Sequence, residues 1–107
     1  MNKLFGGMGG MLKQAQEFQT KMKKIQEELA DKTIEASSGG GMVTVKANGR
    51  QEILSVTIDP EVLKQNDKDM LQDLIVAATN EALKQSQDLM QSEIGKLTGG
   101  FNIPGLF

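Results

Sequence analysis

Residues 33–59 read TIEASSGGGMVTVKANGRQEILSVTID, the one stretch of the chain whose apolar residues recur at every second position. Val43, Val45 and Ala47 alternate with Thr44 and Lys46, and Leu54, Val56 and Ile58 alternate with Ser55 and Thr57. That period belongs to strands with one buried face. Asn48-Gly49 lies between the two runs. A type I′ turn needs positive φ at both central positions, which Asn tolerates and Gly adopts freely, so this dipeptide predicts a hairpin. A loop of two or of four residues keeps the same parity, so in either case Val43 and Val45 share a face with Leu54 and Val56. Upstream, Ile34 and Ala36 form a shorter alternating run joined to Met42 by SSGGG, which predicts a third antiparallel strand at the edge.

Both flanks read as helix. Residues 1–10, MNKLFGGMGG, hold four glycines and are expected to form a flexible arm. From Met11, the residues Ala15, Phe18, Met22, Ile25 and Leu29 follow at alternating spacings of four and three. This heptad seam predicts a long amphipathic helix to about Lys32, with a stripe narrow enough to pack against another helix. After the sheet, Asp59 can cap a short helix that has Pro60 at its first position. Asn66 or Asp67 can cap a second long helix with Asp69 and Asp73 near its start. Leu71, Leu74, Ile75, Ala78 and Ala82 make its main stripe, and Val76, Leu83, Met90 and Leu97 recur every seven residues beside it. The single folded domain is thus expected over 11–97. Residues 98–107, TGGFNIPGLF, are expected to form a flexible apolar tail.

Composition narrows the chemistry. The chain has 107 residues and a formal net charge of -2, without Cys, His, Trp or Tyr. Thiol chemistry, disulfides and metal sites built on Cys or His are excluded, as is the side chain most used as a general base near neutral pH. No metal, cofactor or small-molecule substrate is expected. No apolar run approaches bilayer length and no secretory h-region is visible, so no membrane contact and a cytoplasmic location are expected. Residues 1–50 carry eight Lys or Arg against five acids, and residues 51–107 carry four against nine. A polyanion would meet the first half.

The helices are also too long for the sheet. At 1.5 Å per residue they measure roughly 33 and 43 Å, whereas strands of five to eight residues span roughly 17 to 26 Å. In a single copy the overhanging seam and an edge of the sheet would face water, and a second copy on a two-fold axis covers both. A homodimer follows as the expectation, with helices projecting from a shared body. The faces expected at its interface carry Phe18, Met22, Ile25, Val43, Val45, Leu54, Val56, Leu71, Leu74 and Ile75.

MGGMLKQAQEFQTKMKKIQEELA (8–30), GGGMVTVKANG (39–49), VTIDPEVL (56–63) and DKDMLQDLIVAATNEAL (67–83) together resemble the YbaB/EbfC family of bacterial nucleoid-associated DNA-binding proteins. The likeness spans nearly the whole chain. It implies an α+β fold of order α-β-β-β-α, a three-stranded antiparallel sheet and a tweezer-like homodimer. It further implies double-stranded DNA as partner, no catalysis and a place in the cytoplasmic nucleoid. Lys13, Lys21, Lys23 and Lys24 occupy the matching positions of the first helix, and Lys84 joins them from the second long helix.

Helical geometry can be asked the same question. Lys13 and Lys24 are eleven residues apart and return to nearly one azimuth, with Lys21 and Lys23 flanking the line. Such a stripe can contact phosphates, or it can be an ordinary solvated face balanced by Glu17, Glu27 and Glu28. No aromatic residue is placed to stack bases, so duplex rather than single strands is expected. The glycines at 39–41 join two strands and lack a following Lys-Ser or Lys-Thr, unlike a phosphate-cradling loop. Glu52 and Asp59 have opposite parity and no base beside them, so they make no catalytic pair. The alternative function is a protein-protein adaptor that uses the exposed seam or the apolar tail.

Overall fold

The computed structural model runs α1 (Asn2–Asp31), β1 (Thr33–Ser38), β2 (Val43–Asn48), β3 (Ile53–Ile58), α2 (Pro60–Lys64) and α3 (Lys68–Leu97). It describes the backbone of residues 2–97 and the side chains of 9–97, so the expected tail at 98–107 lies outside the described residues. The strands form one antiparallel sheet in the order β1-β2-β3. Val45 pairs with Ala36 on one side and Val56 on the other, and Val43 pairs with Ser38 and Ile58. The expected α-β-β-β-α order is therefore present, with β1 as an edge strand. One difference lies at the start: α1 begins at Asn2, so the glycine-rich stretch expected to be an irregular arm carries helical backbone. Each glycine weakens a helix by about 1 kcal/mol, but extending a helix that is already nucleated adds a hydrogen bond per residue.

The left-handed turn that the sequence predicts at Asn48-Gly49 forms instead at the glycines of the first hairpin. Positive φ occurs at Gly39 (61°), Gly40 (67°), Gly41 (97°) and Gln51 (63°), and neither Asn48 nor Gly49 is among these residues. The glycine turn is the one with positive φ at both central positions, closed by Gly41 N donating to Ser38 O at 3.2 Å. In the second hairpin, Asn48 N donates to Glu52 O (3.0 Å), leaving a three-residue loop whose last residue, Gln51, is left-handed. A three-residue loop reverses the parity of the second strand. The sheet corrects this at once: Ala47 pairs with Ile53 while Lys46 pairs with Ser55, so Leu54 is an extra, bulged residue. Val56 and Ile58 therefore still lie opposite Val45 and Val43. Alternation thus predicted the pairing side of Val56, but the expectation that Leu54 shares a buried face with Val43 and Val45 fails at the bulge, and Val56 itself stays 44% exposed.

Gly49 is needed for another reason. Its N–H donates to Leu29 O (2.8 Å) at the end of α1, and an added Cβ would lie 2.7 Å from Leu29 Cδ2 and 2.8 Å from Leu29 O. Glycine lets the hairpin touch the helix terminus.

α3 covers one face of the sheet. Ala36, Val43, Val45 and Ala47 meet Ala78 and Ala82, with Ile58, Leu71, Leu74 and Ile75 packed around them. The two alanines are fully buried, and their small size brings the backbone of α3 close to the strands. Ser38 Oγ donates to Leu74 O at 2.6 Å across that contact. The caps follow the sequence: Asp59 accepts from Glu61 N (3.0 Å), and Asp67, rather than Asn66, accepts from Met70 N (3.0 Å). Val43 and Val45 are wholly buried in the core of this one chain. This corrects their expected place at a dimer interface, since they have no surface left to offer a second copy.

Past the sheet, α3 continues alongside α1 in the opposite direction. Ser86 lies against the hairpin tip, whereas Lys96 and Leu97 share a cleft with Lys21, Lys24 and Ile25. The seam of α1 is buried in proportion to this cover. Leu29 is fully buried, Ile25, Met22 and Phe18 are half-buried, and Met11 is 71% exposed. The result is elongated, 75 × 23 × 18 Å, and among the described residues the N-terminal part of α1 extends past the end of α3, whose Leu97 lies beside Lys21.

Candidate nucleic-acid interface

Lys13, Lys21, Lys23 and Lys24 are all exposed on α1. Lys13 and Lys21 border one shallow depression with Gln16, Glu17 and Thr20. Lys21 and Lys24 border the next, in the cleft between α1 and α3, with Ile25, Glu28, Glu93, Lys96 and Leu97. Lys21 is common to both, so three of the four expected lysines form one band along the arm. Lys23 borders neither depression, and Lys84 is exposed on α3 without joining the band.

Lys96 was missing from the expected set. Its only sequence signal was Glu93 three residues earlier on the same helix, a spacing that also suits an ordinary surface pair. Glu93 binds both Lys32, just past the end of α1 (3.2 Å), and Lys96 of α3 (3.3 Å). The hydrogen bond from Lys32, then that from Lys96, holds the Glu93 carboxyl below its ordinary value of 4.5. Lys32 and Lys96 are thereby engaged, whereas Lys13, Lys21, Lys23 and Lys24 make no ion pair with the described residues. Among those residues, the band is the free cationic surface of the arm.

The second exposed surface is apolar. Ile53, Leu54 and Val56 of the edge strand β3 are 40%, 54% and 44% exposed. Of the expected interface residues, Leu54 and Val56 lie here. Phe18, Met22 and Ile25 lie on the α1 seam, and Leu71, Leu74 and Ile75 are half-buried against the sheet. Among the described residues no group of three acids, histidines or cysteines could hold a metal ion. No described helix is long and apolar enough to cross a membrane.

A model of the YbaB/EbfC DNA-binding family matches residues 5–101. The chain belongs to that family. It is 53% identical over 100 residues to a nucleoid-associated protein of Caldanaerobacter subterraneus, covering 94% of this chain and 90% of that protein. A nucleoid-associated protein of Pelotomaculum thermopropionicum is 54% identical over 102 residues, covering 95% and 97% of the two chains. Among solved structures, an uncharacterized protein of Helicobacter pylori superposes with a TM-score of 0.75 at 27% identity, over 89% of this chain and 97% of that one. The α-β-β-β-α architecture is thus that of a YbaB/EbfC protein, and neither the family nor these relatives carry the name of a catalyst.

Proposed function

We propose that this YbaB/EbfC protein is a non-catalytic homodimer that holds double-stranded DNA in the nucleoid through lysines on its projecting first helices, with weak sequence preference. The observation that carries this reading is the projecting arm of α1, whose four exposed lysines form no ion pair with the described residues while Lys32 and Lys96 at its root are paired. If each protomer neutralises about two to four phosphates, a dimer covers about four to eight. Contacts of that kind position a duplex and carry no base code. The dimer is supported by the open edge of β3, where exposed Leu54 and Val56 adjoin unpaired strand backbone.

Titration of a labelled duplex at several salt concentrations tests this. Affinity should fall steeply with log salt, and replacing Lys13, Lys23 and Lys24 by Ala should flatten the slope by about one unit for each phosphate no longer neutralised. An unchanged slope in the triple variant would sink the lysine assignment. A second reading, a protein-protein adaptor, is favoured by Met11 and Leu12, which are 71% and 61% exposed on α1. It requires duplex binding to be absent at low salt and partner capture to be abolished when Met11 and Leu12 are replaced by Ser.

A further inference from the structure

The tip of the β2–β3 hairpin is held from three sides. Gly49 N donates to Leu29 O (2.8 Å) and to Lys32 O (3.2 Å) at the C-terminus of α1. Ser86 Oγ, fully buried on α3, donates to Asn48 O (2.7 Å) and accepts from Gln51 N (2.8 Å). The buried Asn48 side chain accepts from Arg50 N (2.9 Å) and Glu52 N (3.1 Å) and donates to Glu52 Oε1 (2.9 Å). These bonds keep Gln51 at a φ of 63°, a conformation that a non-glycine residue retains only when its surroundings over-determine it. Arg50, Gln51 and Glu52 of this tip are exposed, and the cation among them is Arg50, the single arginine of the chain. No acid lies within ion-pair distance of its guanidinium among the described residues.

We propose that Arg50 is a phosphate contact at the root of the arm, donating two parallel hydrogen bonds to the backbone of the duplex that the α1 lysines hold. The inference rests on the DNA reading above. Lysines on long flexible stems supply point charges, whereas a guanidinium matches two phosphate oxygens at once and gains most when its mounting does not move. A purely structural role is also open to a cation here. The last turn of α1 has no basic residue, and positive charge near a helix C-terminus stabilises its dipole. The experiment has to separate the two.

Duplex titrations across salt concentrations and thermal melts are compared for the unaltered chain, Arg50→Ala, Arg50→Lys and Lys46→Ala. Lys46 is an exposed lysine of the same hairpin on the sheet face away from α3. In Arg50→Ala the slope of log affinity against log salt should shrink by about one unit per protomer. Arg50→Lys should keep the slope and bind more weakly, and Lys46→Ala should match the unaltered chain. A lower melting temperature in Arg50→Ala at an unchanged slope would assign Arg50 to the helix dipole and overturn the proposal, leaving the arm reading intact. An equal drop in slope for Lys46→Ala would reduce the effect to net charge and overturn it as well. Should Arg50→Ala fail to fold, Arg50→Lys decides, because affinity equal to that of the unaltered chain excludes a paired contact. Absence of salt-dependent binding by the unaltered chain overturns both proposals together.

Discussion

Gly49, Ser86 and Glu93 each join the hairpin or α1 to α3 or to its neighbour, and each makes a separate prediction. Gly49→Ala places a Cβ within 2.8 Å of the carbonyl oxygen of Leu29, where backbone cannot yield as a flexible side chain can. The expected destabilisation is about 1–3 kcal/mol, read from urea unfolding. Ser86→Ala strips a buried acceptor from Gln51 N and a donor from Asn48 O, and unsatisfied groups of this kind cost about 1–3 kcal/mol in the same measurement. Glu93 ties Lys32 to Lys96, and its carboxyl lies below the ordinary 4.5 in the folded chain. A carboxyl depressed on folding stabilises fully above its unfolded value, and that contribution disappears as pH falls through the lower folded value. The melting-temperature difference between the unaltered chain and Glu93→Gln should therefore hold constant from pH 7 down to about 4.5 and shrink below it. A difference that grows on acidification would show that the ion pairs contribute nothing.

At the scale of elements, the seam of α1 is one pattern with two environments. Leu29 is fully buried against Gly49 of the hairpin, while Met11 stands 71% exposed. Leu29→Ala should cost about 2–5 kcal/mol, because the vacated volume is walled by Gly49 and cannot collapse. Met11→Ala should change stability by less than about 0.5 kcal/mol. Hydrogen exchange along α1 offers an independent check: protection should rise from residue 11 toward residue 29 as burial does. The heptad spacing announces a seam, but spacing alone carries no information about how much of it finds a partner. The β3 bulge teaches the same lesson, since alternation predicted the facing of Val56 while the three-residue loop and the extra residue Leu54 that jointly preserve it left no local mark.

For the whole molecule, the 75 Å extent against a width of 18–23 Å places much of the surface on the arm and leaves β3 unprotected. If a second copy covers that edge, Leu54→Lys together with Val56→Lys should leave a folded single copy in sedimentation. Duplex affinity should then fall with a slope about half that of the dimer, since half the phosphate contacts remain. Sedimentation unchanged by the double variant would remove β3 from the interface.

The sequence by itself determined the order of elements, the buried face of β2 and the cap at Asp59, and it narrowed the second cap to Asn66 or Asp67. All of these follow from short-range period and from residue chemistry that neighbours cannot reverse. Only the tertiary structure decided that Gly49 serves close contact rather than a left-handed turn, that Val43 and Val45 are spent in the chain's own core, and that Lys96, paired with Glu93, shares a cleft with Lys21 and Lys24. Each of those outcomes depends on where α1 and α3 lie against the hairpin, a long-range packing choice that burial and steric fit make and that no local pattern encodes.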